Sequence, residues 1–189
     1  MGKAQEADFP EDGYHGADII DTAQRIINKD GEKYLHMSED ERMGIFKELA
    51  LKEKLAALKE DLEAFNCTFD VWFSERTLHP DKVKAACQQL QENGKIYEQD
   101  GALWLKSTDY GDDKDRVVIR DNGVPTYLAA DIAYHKDKLD RGFGRLINIW
   151  GADHHGHVLR LKSALDAIGL DGTHRLEIVL MQLVRRMQG

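Results

Sequence analysis

The stretch Asp121–Leu161, DNGVPTYLAADIAYHKDKLDRGFGRLINIWGADHHGHVLRL, decides the fold. Helical composition runs around Ala129–Lys138. Leu146–Trp150 follows as an apolar run suited to a buried parallel strand. After it comes the polar turn Gly151-Ala152-Asp153-His154-His155-Gly156-His157. His157–Ile168 then reads as an amphipathic helix stopped by Gly169. Helix, strand, glycine-lined turn and helix in succession predict an α/β unit. Its turn lies outside the carboxyl end of the strand, where open α/β sheets bind ligands.

Upstream of this stretch the pattern is helical with hairpins. Apolar spacing predicts a helix over Ala17–Asn28, ended by Gly31. A second, long helix starts at Ser38, with Glu41 three residues on as a capping box. Its apolar positions run from Met43 to Phe65, and Asn66 stops it. Phe69–Ser74 alternates like a strand. Pro80 opens a helix that ends at Asn93-Gly94. Lys95–Leu105 reads as a hairpin turning at Asp100-Gly101. Arg116–Ile119 and Val124–Tyr127 read as a second, turning at Asn122-Gly123, with Asp112–Asp115 as a charged linker. At the other end, Ile178–Met187 is a helix candidate, with room for another short strand before it. The domain division expected is 1–66, helical; 67–125, a connective module with a helix and β-hairpins; and 126–189, an α/β half.

Composition narrows the function. The 189-residue chain is 42% hydrophobic and 32% charged, with a formal net charge of −8. That balance belongs to a globular protein rather than a disordered one. A free-standing nucleic-acid binder needs positive charge to displace phosphate counterions, so this acidic chain is expected to contact nucleic acid weakly. Cys67 and Cys87 are too few and too far apart for a disulfide framework or a CxxC clip, and read as reduced thiols of a cytoplasmic protein. No apolar run approaches the ~20 residues of a membrane helix.

Several constellations carry chemistry. Gly151 permits close ligand approach, and Asp153 offers a carboxylate that can accept both hydroxyls of a ribose. On spacing alone the same residues read equally as a turn and a helix cap. Tyr127 and Asp131, four apart on a helix, share a face. A carboxylate with an adjacent ring suits a guanidinium, whether from a substrate or from an arginine of the same protein. His154, His155 and His157 invite a metal, but HH-x-H lacks the i, i+4 geometry of a helical zinc pair. Pocket lining is the better reading, and no protein-held metal is expected. The chain has no P-loop, GxGxxG, HExxH or nucleophile motif.

These residues resemble a family. TYLAADIAYHKDK at 126–138 and LINIWGADHHGHVLRLKSAL at 146–165 are similar to the catalytic core of bacterial arginyl-tRNA synthetases, class I aminoacyl-tRNA synthetases. YHGADI at 14–19, FDVWFSE at 69–75 and RDNG at 120–123 support the likeness. It covers nearly the whole chain and is most specific from Arg116 to Leu161. The resemblance implies an internal fragment of a Rossmann-like catalytic domain with an inserted connective module. The family's HIGH-type motif would lie upstream and its KMSKS-type loop downstream, so the fragment alone is expected to be inactive. The implied activity of the parent is arginine–tRNA ligation, through arginyl-adenylate and transfer to tRNA(Arg). ATP is then a substrate, accompanied by Mg2+. The resemblance puts Asp131, Tyr127 and His154 on arginine. It puts Gly151, Asp153 and His157 on ATP, with Met187 and Gln188 by the adenine. No catalytic nucleophile is implied. The alternative is a non-catalytic module that binds arginine or a nucleotide.

Overall fold

The structure, a computed structural model, describes residue 11 and residues 13–182. Contacts divide the chain into two compact units, with the boundary between Trp72 and Phe73.

The first unit is a helix pair. Helix α1 (Ala17–Asp30) ends at Gly31, whose φ of 58° is a left-handed value that glycine adopts without strain. Helix α2 (Glu39–Ala64) begins at the expected capping box, in which Ser38 Oγ accepts from the Glu41 N–H at 3.4 Å and Glu41 Oε2 accepts from the Ser38 N–H at 3.0 Å. Between the helices, Glu53 accepts a fork from Arg25 at 3.0 and 2.6 Å and a bond from the Thr22 hydroxyl at 2.6 Å. Lys54 pairs with Asp18 at 2.8 Å. Tyr34 is buried, with its ring edge-on to Phe46 at 5.2 Å. Phe69–Ser74 corrects an expectation, because it is not a strand. It has no pairing partner among the described residues, and Phe69 instead packs edge-to-face on Trp72 at 5.5 Å. Alternation alone does not make a strand without a neighbour to pair with.

The second unit starts at Phe73. Helix α3 (Asp81–Glu92) follows Pro80. Strands β1 (Ile96–Gln99) and β2 (Ala102–Leu105) form the expected hairpin. Asp100 and Gly101 turn it with positive φ at both positions, the signature of a type I′ turn. Strand β3 (Arg116–Ile119) adds antiparallel to β2. The second hairpin is only half formed. Val124–Tyr127 makes a single bridge, Ile119 to Pro125, and Tyr127 already belongs to the next helix. Pro125 has no N–H to extend a ladder, and the Thr126 hydroxyl is drawn to the Val117 carbonyl at 2.9 Å. Asp112–Asp115 is likewise anchored rather than a free linker. Asp112 is buried and forks to Arg116 at 2.8 Å through both oxygens, which holds its carboxyl well below the usual carboxylate range. Asp115 accepts from the Thr108 N–H and hydroxyl.

Helix α4 (Tyr127–Asp140), strand β4 (Leu146–Gly151), helix α5 (His155–Ala167), the single turn α6 (Gly172–Arg175) and strand β5 (Leu176–Met181) complete the unit. Strands β4 and β5 pair in parallel, from Leu146 opposite Leu176 to Gly151 opposite Met181. Two expectations fail here. Strand β4 is not buried on both faces, for Leu146 and Asn148 point inward while Ile147 and Ile149 are exposed. The residues 178–181 are strand, not helix, since β-branched Ile178 and Val179 pair with β4. The rest of that helix candidate, from 183, lies outside the described residues. Leu78, Val83, Leu90, Leu105, Val118, Leu128 and Ile132 make the main core, and Leu146, Leu161, Leu165 and Leu176 a second. Gly172 lets α6 press against α5, where a Cβ would lie 2.8 Å from the Lys162 carbonyl oxygen and 2.6 Å from Leu165 Cβ. Both cysteines are free, and burial pushes the Cys87 thiol up to about 11. Among the described residues no helix is long and apolar enough to cross a membrane.

Candidate active-site cleft

An open cleft of about 620 Å³ lies where α4, the end of β4 and the start of α5 meet. Helix α4 contributes Tyr127 and Asp131; β4 contributes Trp150; the turn contributes Asp153 and His154; and α5 contributes Gly156, His157 and Arg160. Helical spacing explains the assembly. Residues three or four apart share a face, so Tyr127 and Asp131 line one wall while His157 and Arg160 line the other. The walls touch through two bonds. His157 Nε2 lies 2.9 Å from Asp131 Oδ2, and since a carboxylate only accepts, that nitrogen carries the proton. The Arg160 guanidinium donates to the Tyr127 hydroxyl. The His157 ring also faces Tyr127 at 5.3 Å and Trp150 at 5.4 Å between centroids.

At the mouth, the Asp153 side chain is exposed, with His154 Nε2 3.7 Å away. A Cβ on Gly151 would come within 2.4 Å of Asp153 Oδ1, so the missing side chain lets this carboxylate turn back over the strand end. No side chain caps the helical turns that follow, and Asp153 is therefore not spent as a helix cap. Behind the cleft, His135 is buried on α4. Its Nδ1 donates to the Asp131 carbonyl at 2.7 Å, and its Nε2 accepts from Asn148 Nδ2 at 2.8 Å. Burial holds the His135 pKa down, so the neutral ring fits this arrangement. Lys138, also shifted down by burial, reaches Asn148 Oδ1 at 3.4 Å and thereby fixes the amide orientation. This chain of bonds ties the helix carrying Asp131 to the strand ending at Gly151.

A smaller cavity of about 250 Å³ shares Tyr127 and Asp131 with the cleft. Phe73, Glu75 and Tyr134 form its other side, and the Phe73 and Tyr134 rings stack at 4.6 Å. Asp131 thus stands between two spaces, with a second carboxylate, Glu75, on the small one.

The structure brings Tyr127, Asp131, Asp153, His154 and His157 together, with Gly151 directly behind Asp153. Met187 and Gln188 lie outside the described residues. His155 turns away, its Nδ1 3.3 Å from the Ala152 carbonyl oxygen. Sequence reading missed Trp150, Arg160 and Glu75. Arg160 was detectable, since it sits three residues after His157 on one helix. The cavity side of Glu75 had no such signal, because it depends on Phe73 meeting Tyr134. Among the described residues no group of three or more His, Cys, Asp or Glu could hold a metal ion.

A parallel strand pair with its crossover helix, a Gly-x-Asp turn at the strand end and a carboxylate–aromatic wall thus meet in one cleft. Residues 14–177 match the family model "tRNA synthetases class I (R), catalytic domain", and the chain belongs to that family. It is 58% identical to the arginine–tRNA ligase of Moorella thermoacetica, over 98% of this chain and 33% of that protein. It is 55% identical to that of Carboxydothermus hydrogenoformans, over 97% of this chain and 33% of that protein. The crystal structure of a Campylobacter jejuni protein assigned as an arginyl-tRNA synthetase superposes with a TM-score of 0.86 at 43% identity, covering 95% of this chain and 39% of that one. Thermus thermophilus arginyl-tRNA synthetase, at 18% identity and a TM-score of 0.62, shares the fold. The chain therefore spans about a third of the length of the ligases it matches.

Proposed function

We propose that this chain is the part of a cytoplasmic arginine–tRNA ligase that binds arginine and the nucleoside end of ATP. The whole protein would activate L-arginine with ATP, accompanied by Mg2+, to arginyl-adenylate and pass the arginyl group to tRNA(Arg). The single observation that carries this reading is Asp131, a carboxylate shared by two adjoining spaces and flanked by Tyr127. In the smaller space Asp131 and Glu75 face a volume walled by Phe73 and Tyr134. A guanidinium there meets two carboxylates and aromatic surface, the chemistry it prefers. His154 at the mouth serves the amino-acid end. Asp153, laid over Gly151, accepts the ribose hydroxyls. His157, bonded to Asp131 and facing Trp150, stands between the two halves and orients the carboxylate. Met187 and Gln188 remain assigned to the adenine. In this division of labour the chain binds and aligns reactants, and no residue in it acts as a nucleophile. Residues 126–189 would form the catalytic half, 67–125 the connective module and 1–66 a helical part, with tRNA contact by this acidic segment weak.

The test is Asp131→Asn in the full-length protein. Neutralising one partner of a desolvated charge pair costs roughly 2–5 kcal/mol. Arginine-dependent ATP–pyrophosphate exchange should lose arginine affinity by that amount while ATP affinity holds. An unchanged arginine KM and kcat would remove Asp131 from the pocket.

A further inference from the structure

Among the described residues lining the cleft, Arg160 is the one lysine or arginine, and it shares the lining with the carboxylates of Asp131 and Asp153. Its hydrogen-bond partner among the described residues is the neutral Tyr127 hydroxyl. Its Nε is buried and has no hydrogen-bond partner among the described residues. A guanidinium presents five donors in a fixed fork and stays charged, so a buried, idle N–H on its edge is a vacancy of a particular shape. It suits a planar anion with two oxygens, taken bidentately.

We infer that Arg160 is the seat for the α-carboxylate of the amino-acid substrate and sets its direction in the cleft. The inference rests on the arginine reading above and deepens it. Two spaces meet at Tyr127 and Asp131, and they differ in charge. Among the described residues, the smaller holds Glu75 and Asp131 and no lysine or arginine, while the larger holds Arg160. A zwitterionic substrate with a cationic side chain is pulled one way only. Its guanidinium enters the space away from Arg160, where the two carboxylates attract it and like charge does not repel it. Its carboxylate remains in the larger cleft, on the Arg160 side of Tyr127. The Tyr127 hydroxyl, already accepting from Arg160, still has its own proton to donate to a carboxylate oxygen. Phosphate oxygens of ATP are the competing anion. The position of Arg160 argues against them, because it is bonded to the residue that begins the arginine wall and not to the Gly151–Asp153 turn.

Agmatine, arginine without its carboxylate, separates these outcomes. Calorimetric titration of the full-length protein with L-arginine, agmatine and ATP would compare the wild type with Arg160→Met and Arg160→Lys. With Arg160→Met, arginine affinity should fall on the order of tenfold or more, the scale of a lost charged hydrogen bond, while agmatine and ATP affinities stay unchanged. Retained agmatine binding also certifies that the variant is folded. Arg160→Lys should recover part of the loss, since a lysine restores the charge but not the fork. Equal losses for arginine and agmatine, or a loss confined to ATP, would overturn the assignment. Failure of the wild type to bind either arginine or agmatine would instead sink the arginine reading itself. Should Arg160→Met bind none of the three, the lysine variant decides: it must still favour agmatine relative to wild type, or the proposal fails.

Discussion

The helix pair before Trp72 and the α/β unit after it hold themselves together by different means. In the second unit Leu78, Val83, Leu90, Leu105, Val118 and Ile132 are all at most 1% exposed, and Asp137, buried on α4, is held by Lys82 and Arg141. In the first unit, none of the 26 residues of α2 is buried. Leu55, Leu58, Met43 and Ile20 leave large apolar areas to solvent, and the helices meet through Glu53, Arg25, Thr22, Lys54 and Asp18. Burial of apolar surface is the dominant favourable term in folding, and exposed ion pairs are worth little. The described residues of the cleft all belong to the unit that has a core. The helix pair draws its order from caps, polar bonds and the Tyr34–Phe46 contact.

The sharpest break between the two comes from matched truncations. Leu90→Ala empties a fully buried site in the main core and should cost about 2–5 kcal/mol in urea unfolding. Leu58→Ala removes a half-exposed side chain from a helix and should stay within about 0.5 kcal/mol, with alanine's better helix propensity as partial compensation. Similar losses for the two would mean that α2 is covered as well as α3 is, and the contrast would collapse.

The same contrast explains what could be read from the sequence. Local chemistry was legible: the Ser38–Glu41 box, the Asp100-Gly101 turn, and Gly31 and Gly169 as helix stops each depend on a few adjacent residues. Most of the cleft was legible as well, because Tyr127–Asp131 and Gly151–Asp153 are short-range patterns and the family resemblance aligned them. Failures came where a partner far along the chain decided the outcome. Ile178 and Val179 suit a helix face by spacing, but β4 recruits them as a strand. Phe69–Ser74 has strand alternation but, among the described residues, no strand beside it. Strand β4 looked apolar enough to be covered on both sides, and the described residues cover one. Arg160 shares a helix face with His157, a local signal, but its partner is the Tyr127 hydroxyl, 33 residues earlier in the chain.

A smaller effect sharpens the first unit's account. If α2 depends on its ends, then the Ser38 cap matters more there than a cap would in a buried helix. Ser38→Ala removes the acceptor for the Glu41 N–H and the partner of the Glu41 carboxylate, and should cost about 1 kcal/mol. Hydrogen-exchange protection at residues 42–48 should drop, while protection in α3 and α4 is unchanged. Equal protection in wild type and variant would show that the start of α2 is held by something other than its cap.

The smallest effect concerns acid. The Arg25 fork, with the Thr22 hydroxyl, holds the Glu53 carboxyl down to about 2 from an ordinary 4.5. A carboxyl lowered on folding binds protons more readily in the unfolded chain. Its contribution is therefore complete above pH ~4.5 and is lost as the pH falls toward 2. Asp137 in the second unit is also lowered; burial pushes it up, but the Lys82 bond and the charges of Lys82 and Arg141 outweigh that. Both units should thus weaken in acid, for unequal reasons. The Glu53 bonds sit at the surface, where solvent screens them, so its share is small. Carboxyl NMR through a pH titration reads the group directly. The Glu53 midpoint should lie near 2 in the native chain and move toward 4.5 in Arg25→Ala. A wild-type midpoint already near 4.5 would mean that the fork does not persist in solution, leaving the helix pair with its caps, the Lys54–Asp18 pair and the Tyr34–Phe46 contact.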